Sequence, residues 1–271
     1  MEYPEFSKME REGWANPNAA GNYRDLFSPI TDQAIAPMLA LIAPAPKDVL
    51  DSCCGHGSIS GAVHAAGHRV VGADFSAAMI EIARNTQAGP EFAVADAQDL
   101  PFGDAQFDAV LSGFGLCHIP DQPTALREMW RVLKPGGQMG FTVWYGPDVP
   151  GAFQVMTDAV KTYGDPTIQQ PPEPGFHRFA DAGIATDLLT EAGFQDIRVD
   201  RIACQWALAN PADLFDIFAN ATLRFRDFMA RQPDQNHAAI RKDVANTVSQ
   251  WPQTGGKWRV DQPAALVSAR K

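Results

Sequence analysis

From residue 47 onward, short apolar runs alternate with stretches whose apolar positions recur at helical spacing, and turn residues separate the two. That alternation predicts strands followed by crossover helices in a parallel sheet. The expected strands cover 48–50, 68–73, 92–95, 107–112 and 138–144. The fourth, FDAVLS, is apolar enough for burial on both faces, which places it near the sheet centre. Between them, Ser58 is expected to cap a helix that stops at Gly67, and Ser76 to cap one whose core face is Met79, Ile80, Ile82 and Ala83. Pro123 suits the first turn of a third helix, with Leu126, Met129, Trp130 and Leu133 inward and Lys134-Pro135-Gly136-Gly137 ending it.

Beyond residue 144 the regularity loosens. Prolines and glycines crowd 145–180, with one helical segment at 152–163, and this reads as a cap insertion. A helix at 184–192, a long strand at 197–206 and a last strand at 264–268 continue the core, with a helical insertion at about 209–256. The division expected is an N-terminal lid over 1–46, a core over 47–144, the cap over 145–180 and the rest of the core over 181–271.

Composition narrows the partners. The 32 acidic residues outnumber the 22 basic ones, leaving a net charge of −10 and no Lys/Arg run to follow a nucleic-acid backbone. No apolar stretch is long enough to span a bilayer, and the N-terminus is polar, so membrane insertion is not expected and a cytoplasmic location is. The four cysteines, Cys53, Cys54, Cys117 and Cys204, lack the C-x-x-C spacing of a metal or redox centre, so no metal is expected. The partner expected is a small-molecule substrate, with a homodimer compatible.

Three of the predicted strands end in acids or feed a glycine turn: VLDSCCGHG at Asp51, RVVGAD at Asp74 and FAVAD at Asp96. Ligands of open parallel sheets bind outside the carboxyl ends of the strands, where these acids gather. Gly55 and Gly57 permit close approach of main chain to a ligand. Asp74 stands where a carboxylate accepts both hydroxyls of a ribose, and Asp96 where one accepts from an adenine amine, with a neighbouring main-chain N–H donating to the ring.

The segments VLDSCCGHG, VVGADFSAAMIEIAR, VADAQDLPF, FDAVLSGFGLCHIPD and REMWRVLKPGGQMGFTVW resemble, in kind and order, class I S-adenosylmethionine-dependent methyltransferases, nearest the ubiquinone/menaquinone-biosynthesis (type 11) group. The resemblance implies an α/β, Rossmann-like, doubly wound seven-stranded sheet with its last strand antiparallel, plus helical caps. It implies S-adenosyl-L-methionine as cofactor, leaving S-adenosyl-L-homocysteine. It places Asp51, Cys53, Gly55 and Gly57 at the methionine end, Asp74 at the ribose hydroxyls, Asp96 and Ala97 at the adenine, and Phe75 and Tyr23 among the cofactor-binding residues. In this loop Cys53 takes a position commonly held by glycine, and His56 one often held by threonine.

A nicotinamide-dependent oxidoreductase is the alternative for the same βαβ pattern, but its third glycine falls on Ser60, and no Tyr-x-x-x-Lys follows. A cofactor-binding regulator on the same fold is the other. For methyl transfer to oxygen or carbon of a small organic molecule, His118 is the candidate base, since it directly follows the fourth strand. Trp14, Tyr145, His177, Phe215 and Phe218 are expected to shape the acceptor pocket.

Overall fold

The computed structural model describes residues 3–44 and 46–271; Met1, Glu2 and Ala45, all within the expected lid, lie outside the described residues. Among the described residues four α-helices come first: α1 (Pro4–Trp14), α2 (Pro17–Asn22), α3 (Ser28–Thr31) and α4 (Ile35–Ile42). The alternating region follows as β1 (Asp48–Ser52), α5 (Ser58–Ala65), β2 (Arg69–Asp74), α6 (Ala77–Thr86), β3 (Glu91–Val94), β4 (Phe107–Gly113), α7 (Gln122–Val132) and β5 (Leu133–Trp144). After it come α8 (Ala152–Tyr163), α9 (Ala182–Glu191), β6 (Gln195–Ile202), β7 (Gln205–Leu208), α10 (Asp213–Ala221), α11 (Leu223–Ala230) and α12 (Asp234–Val248). The chain closes with β8 (Gln253–Thr254), β9 (Lys257–Asp261) and β10 (Ala264–Arg270).

The main sheet has seven strands in the order β3-β2-β1-β4-β5-β10-β6. The pairs from β3 through β5 are parallel, and β10 runs antiparallel to both β5 and β6. Strand order reverses between β1 and β4, so the ends of β1, β2 and β4 open onto one crevice. Residues from β1, β4, β5 and β10 divide between two apolar cores, one on each face of the sheet. Side chains alternate across a strand, so fully apolar strands supply both.

Local chemistry explains the boundaries. Ser76 caps α6 by accepting from Met79 N at 3.1 Å, and Asp121 caps α7 by accepting from Thr124 N at 3.0 Å. Ser58 does not cap α5; Gly57, at φ +87°, holds that position, and the Ser58 hydroxyl bonds the His56 ring instead. Lys134-Pro135-Gly136-Gly137 does not separate helix from strand. β5 begins at Leu133 and absorbs these residues through a register shift against β4.

The long strand expected at 197–206 is two strands. β6 ends at Ile202, and β7 joins β9 and β8 in a separate three-stranded sheet. Trp206 and Leu208 are buried in the core that β7 shares with α10 and α12. The apolar pattern continues through the break because Ile197, Val199 and Ile202 of the edge strand β6 pack half-buried against the main sheet's cores, while Trp206 and Leu208 are buried against different partners. The N-terminal segment is also divided in role: α4 packs on the sheet, with Met38 and Ile42 wholly buried, while α1 lies over the crevice.

Candidate active site

The loop after β1 turns sharply, with Cys53 at φ +59° and Gly55 at φ +53°. No heavy atom lies within 4 Å of where a Gly55 side chain would start, so its backbone borders open space. Its N–H donates to Asp74 Oδ2 at 2.9 Å, and Ser76 N–H donates to Oδ1 at 2.9 Å. Each oxygen of this buried carboxylate thus keeps a lone pair for a further donor. Burial raises the Asp74 pKa, against the pull of the two N–H groups and His118.

Asp96 Oδ1 accepts from Gln98 N and Nε2, both at 2.9 Å, and its Oδ2 pairs with Arg11 of α1. Burial works against the charge, but these donors prevail and lower the Asp96 pKa. Arg11 also sits over the Phe75 ring, 5.8 Å from its centroid. Ala97 is buried beside Ile119. Cys53, Gly55, Asp74, Phe75, Asp96, Ala97 and Tyr23 all line one cavity.

Asp51 and Gly57 are not on that lining. Asp51 is fully buried behind the loop, its Oδ2 accepting from Ser60 Oγ at 2.6 Å, and burial pushes its pKa up to about 7. A side chain on Gly57 would meet Phe92, Ala83 and Gln87 at 3.0–3.1 Å, so this glycine serves packing inside the domain. His56 shares a 2.7 Å hydrogen bond with Ser58 Oγ, and burial, with nearby Arg24, pushes its pKa down to about 4.

A second cavity of about 410 Å³ adjoins the first, and Trp14, Tyr23, Phe114 and His118 line both. Its walls are aromatic. Phe114, at φ +55°, stacks on Trp144 with centroids 4.0 Å apart, and Phe153 meets Phe218 and His177 edge-on at 5.4 and 5.1 Å. The His177 Nδ1 lies 2.9 Å from the Trp144 carbonyl oxygen, and burial lowers its pKa. Arg224, over the Phe176 ring and ion-paired with Glu173, supplies a polar wall. Phe215 and Tyr145 lie outside this lining. Phe215 packs behind it against Phe225, and Tyr145 sits against the opposite core under Arg201.

The sequence reading missed Glu10, Arg11, Phe114, Phe176 and Arg224. Glu10 is 1% exposed, and its Oε2 lies 2.9 Å from both Trp14 Nε1 and His118 Nδ1. A carboxylate on the same face of α1 as Phe6 and Trp14 is the one available signal, because a charge in an apolar stripe needs a partner from elsewhere.

The sheet order, with an antiparallel strand inserted beside β5, is that of the class I methyltransferase fold. Residues 50–141 match the family model Methyltransf_11, described as a methyltransferase domain. Among curated relatives, the demethylmenaquinone methyltransferase of Clavibacter sepedonicus is 42% identical over 128 residues, covering 46% of this chain and 50% of the relative. That of Listeria monocytogenes is 42% identical over 117 residues, 40% of this chain and 49% of the relative. The chain therefore spans about half the length of the curated relatives it matches.

A solved putative methyltransferase from Bacillus halodurans superposes with TM-score 0.58 at 22% identity, over 88% of this chain and 98% of the other. The Burkholderia thailandensis 1,6-didemethyltoxoflavin-N1-methyltransferase, solved with 1,6-didemethyltoxoflavin and S-adenosylhomocysteine, superposes with TM-score 0.56 at 18% identity, over 98% and 89%.

The residues present fit S-adenosylmethionine. Gly55 leaves room at the loop, Asp74 has lone pairs for two hydroxyls, and Asp96 and Ala97 border the same cavity. The dinucleotide alternative fits less well: Ser60 fills its third glycine position and is committed to Asp51. No described helix is long and apolar enough to cross a membrane.

Proposed function

We propose that this chain methylates a small aromatic molecule at oxygen or at an acidic carbon, using S-adenosylmethionine. The observation that carries the reading is the shared wall: Trp14, Tyr23, Phe114 and His118 line both the cavity with the ribose-type acid and the aromatic one. When bound, S-adenosylmethionine supplies an electrophilic methyl group on a sulfonium. The chain's own task is then alignment and proton removal. Asp74 binds and orients through its two half-occupied oxygens, and the aromatic walls exclude water from the acceptor cavity. His118 is the candidate base, because it faces both spaces.

The relatives named for demethylmenaquinone and the neighbour solved with didemethyltoxoflavin are consistent with a flat, unsaturated acceptor. The acidic balance of the chain, 32 residues against 22, fits a small cytoplasmic substrate better than a polyanion.

The test is thermal unfolding with S-adenosylmethionine, S-adenosylhomocysteine and NAD in parallel, followed by mass spectrometry of an aromatic acceptor panel. A rise in Tm with the two sulfur compounds, and a product heavier by one methyl group, are expected. A rise with NAD alone would overturn the reading, and cofactor binding with no methylated product across the panel would favour the regulator. Asp74→Ala is expected to weaken S-adenosylmethionine binding by about 1–3 kcal/mol, read by calorimetry.

A further inference from the structure

We propose that Glu10 is the positioning residue for His118, and that α1 assembles the acid–base pair by carrying this carboxylate over the crevice. The proposal rests on the reading of His118 as the base. Its first support is geometric. The Nδ1–H of His118 donates to Glu10 Oε2 at 2.9 Å, and Trp14 Nε1 donates to the same oxygen at 2.9 Å. Glu10 Oε1 has no hydrogen-bond partner among the described residues, so no competing donor draws the carboxylate away.

With Nδ1 engaged, Nε2 carries the free lone pair of the neutral ring, and the ring lines both cavities. Trp14 and Phe176 hold it edge-on, with centroids 5.6 and 5.7 Å away. Tautomer and orientation are therefore both set before an acceptor arrives, the arrangement a buried carboxylate gives a catalytic imidazole.

The second support is where Glu10 comes from. It lies on the N-terminal helix, far in sequence from the methyltransferase domain, and α1 is fastened over the crevice at two other points. Arg11 pairs with Asp96, and Ser76 Oγ donates to the Trp14 carbonyl at 2.6 Å. Beneath α1 the first cavity measures about 110 Å³, below the ~300 Å³ at which small-molecule sites begin. An α1 lifted from this crevice takes Glu10 away from His118. The base is complete only when the helix is down, which couples proton removal to closure.

The charged and titratable groups around the pair come from several elements. Cys117 adjoins His118, Asp74 reaches it from the end of β2, and Arg224 of α11 and Tyr23 complete the surround. Burial opposes a charged imidazole, but Cys117 and Glu10 outweigh it and hold the His118 pKa well above its ordinary value. A base of this kind acts once deprotonated, so kcat is expected to rise with pH through that raised pKa.

The test compares the full-length protein with Glu10→Gln and Glu10→Asp, following the His118 imidazole by NMR titration and kcat and KM by steady-state kinetics. In Glu10→Gln the His118 pKa is expected to fall, moving the rise in kcat to lower pH. The plateau kcat should drop by roughly 10–100-fold, with the S-adenosylmethionine KM within about twofold. Glu10→Asp, which keeps the charge, should restore the raised titration. An unchanged His118 titration in Glu10→Gln overturns the pairing, whatever happens to Tm or activity. A lowered titration with undiminished kcat overturns the part of Glu10 in catalysis, whereas an undiminished kcat in His118→Gln overturns His118 as the base.

Discussion

The acids that end β1, β2 and β3 look alike in sequence, yet their surroundings give them different chemistry. Asp96 is held ionised by Gln98 and Arg11, Asp74 is buried but bonded by two N–H groups, and Asp51 is sealed off with Ser60 as its partner. For Asp51 the consequence is a folded-state pKa of about 7, raised by burial above its value of 3.8. Between those two pH values the folded chain holds a proton that the unfolded chain has released. The stability Asp51 contributes is therefore full below the unfolded pKa and is lost as pH rises to about 7. Asp51→Asn, which mimics the protonated acid, should gain stability relative to the parent between pH 5 and 8, measured as the difference in denaturation midpoints without ligand; a constant difference would show that Asp51 does not titrate there. The ordering of these acids at strand ends was legible in the sequence. Which of them lines the cavity was not, because the direction of a side chain at a turn depends on φ values such as the +59° of Cys53.

At the scale of elements, the parallel core was read nearly to its boundaries, since capping residues and apolar periodicity act locally. Ser76 caps α6 as expected, while Ser58 yields the cap position of α5 to Gly57. The readings failed where an element's partner is remote: β7 leaves the main sheet, and the β8–β9 hairpin that receives it follows a long helical stretch. The loop from Asp96 to Gln106 is another remote case. Arg131 of α7 pins it by donating to the carbonyls of Leu100 and Phe102 at 3.0 and 2.8 Å and to Asp104 at 2.8 Å, and Glu128 accepts from Leu100 N at 2.9 Å. Arg131→Ala removes several of these bonds together and leaves Glu128 without its cation. It should destabilise the protein by about 2 kcal/mol in urea unfolding and weaken cofactor binding through a loosened Asp96. Unaltered cofactor affinity would mean that Gln98 and Arg11 hold Asp96 in place without the loop's anchor at Arg131.

For the whole molecule, the proposed function assigns two binding tasks to two sets of elements, because the two cavities meet at only four shared residues. The cofactor side is built by strand ends and α1. The acceptor side is built chiefly by α8, α10, α11 and the segment holding Phe176, none of which lies within residues 50–141. Phe153→Ala, which trims only the acceptor wall, should raise acceptor KM roughly tenfold while leaving cofactor affinity unchanged, by kinetics and calorimetry together. A parallel loss of cofactor binding would show that the cavities act as one. The alternating core, the glycine turn after β1, the acids near the strand ends and the aromatic character of the caps were legible in the sequence, because spacing, turn chemistry and apolar content are properties of neighbouring residues. Only the tertiary structure decided that Glu10 meets His118 across 108 positions, that Arg11 covers Asp96, and that Phe218 lines the acceptor cavity while Phe215 stands behind it. Those pairings depend on how α1 and the cap helices pack against the sheet, and a buried carboxylate does not reveal its partner until packing has brought one within hydrogen-bond reach.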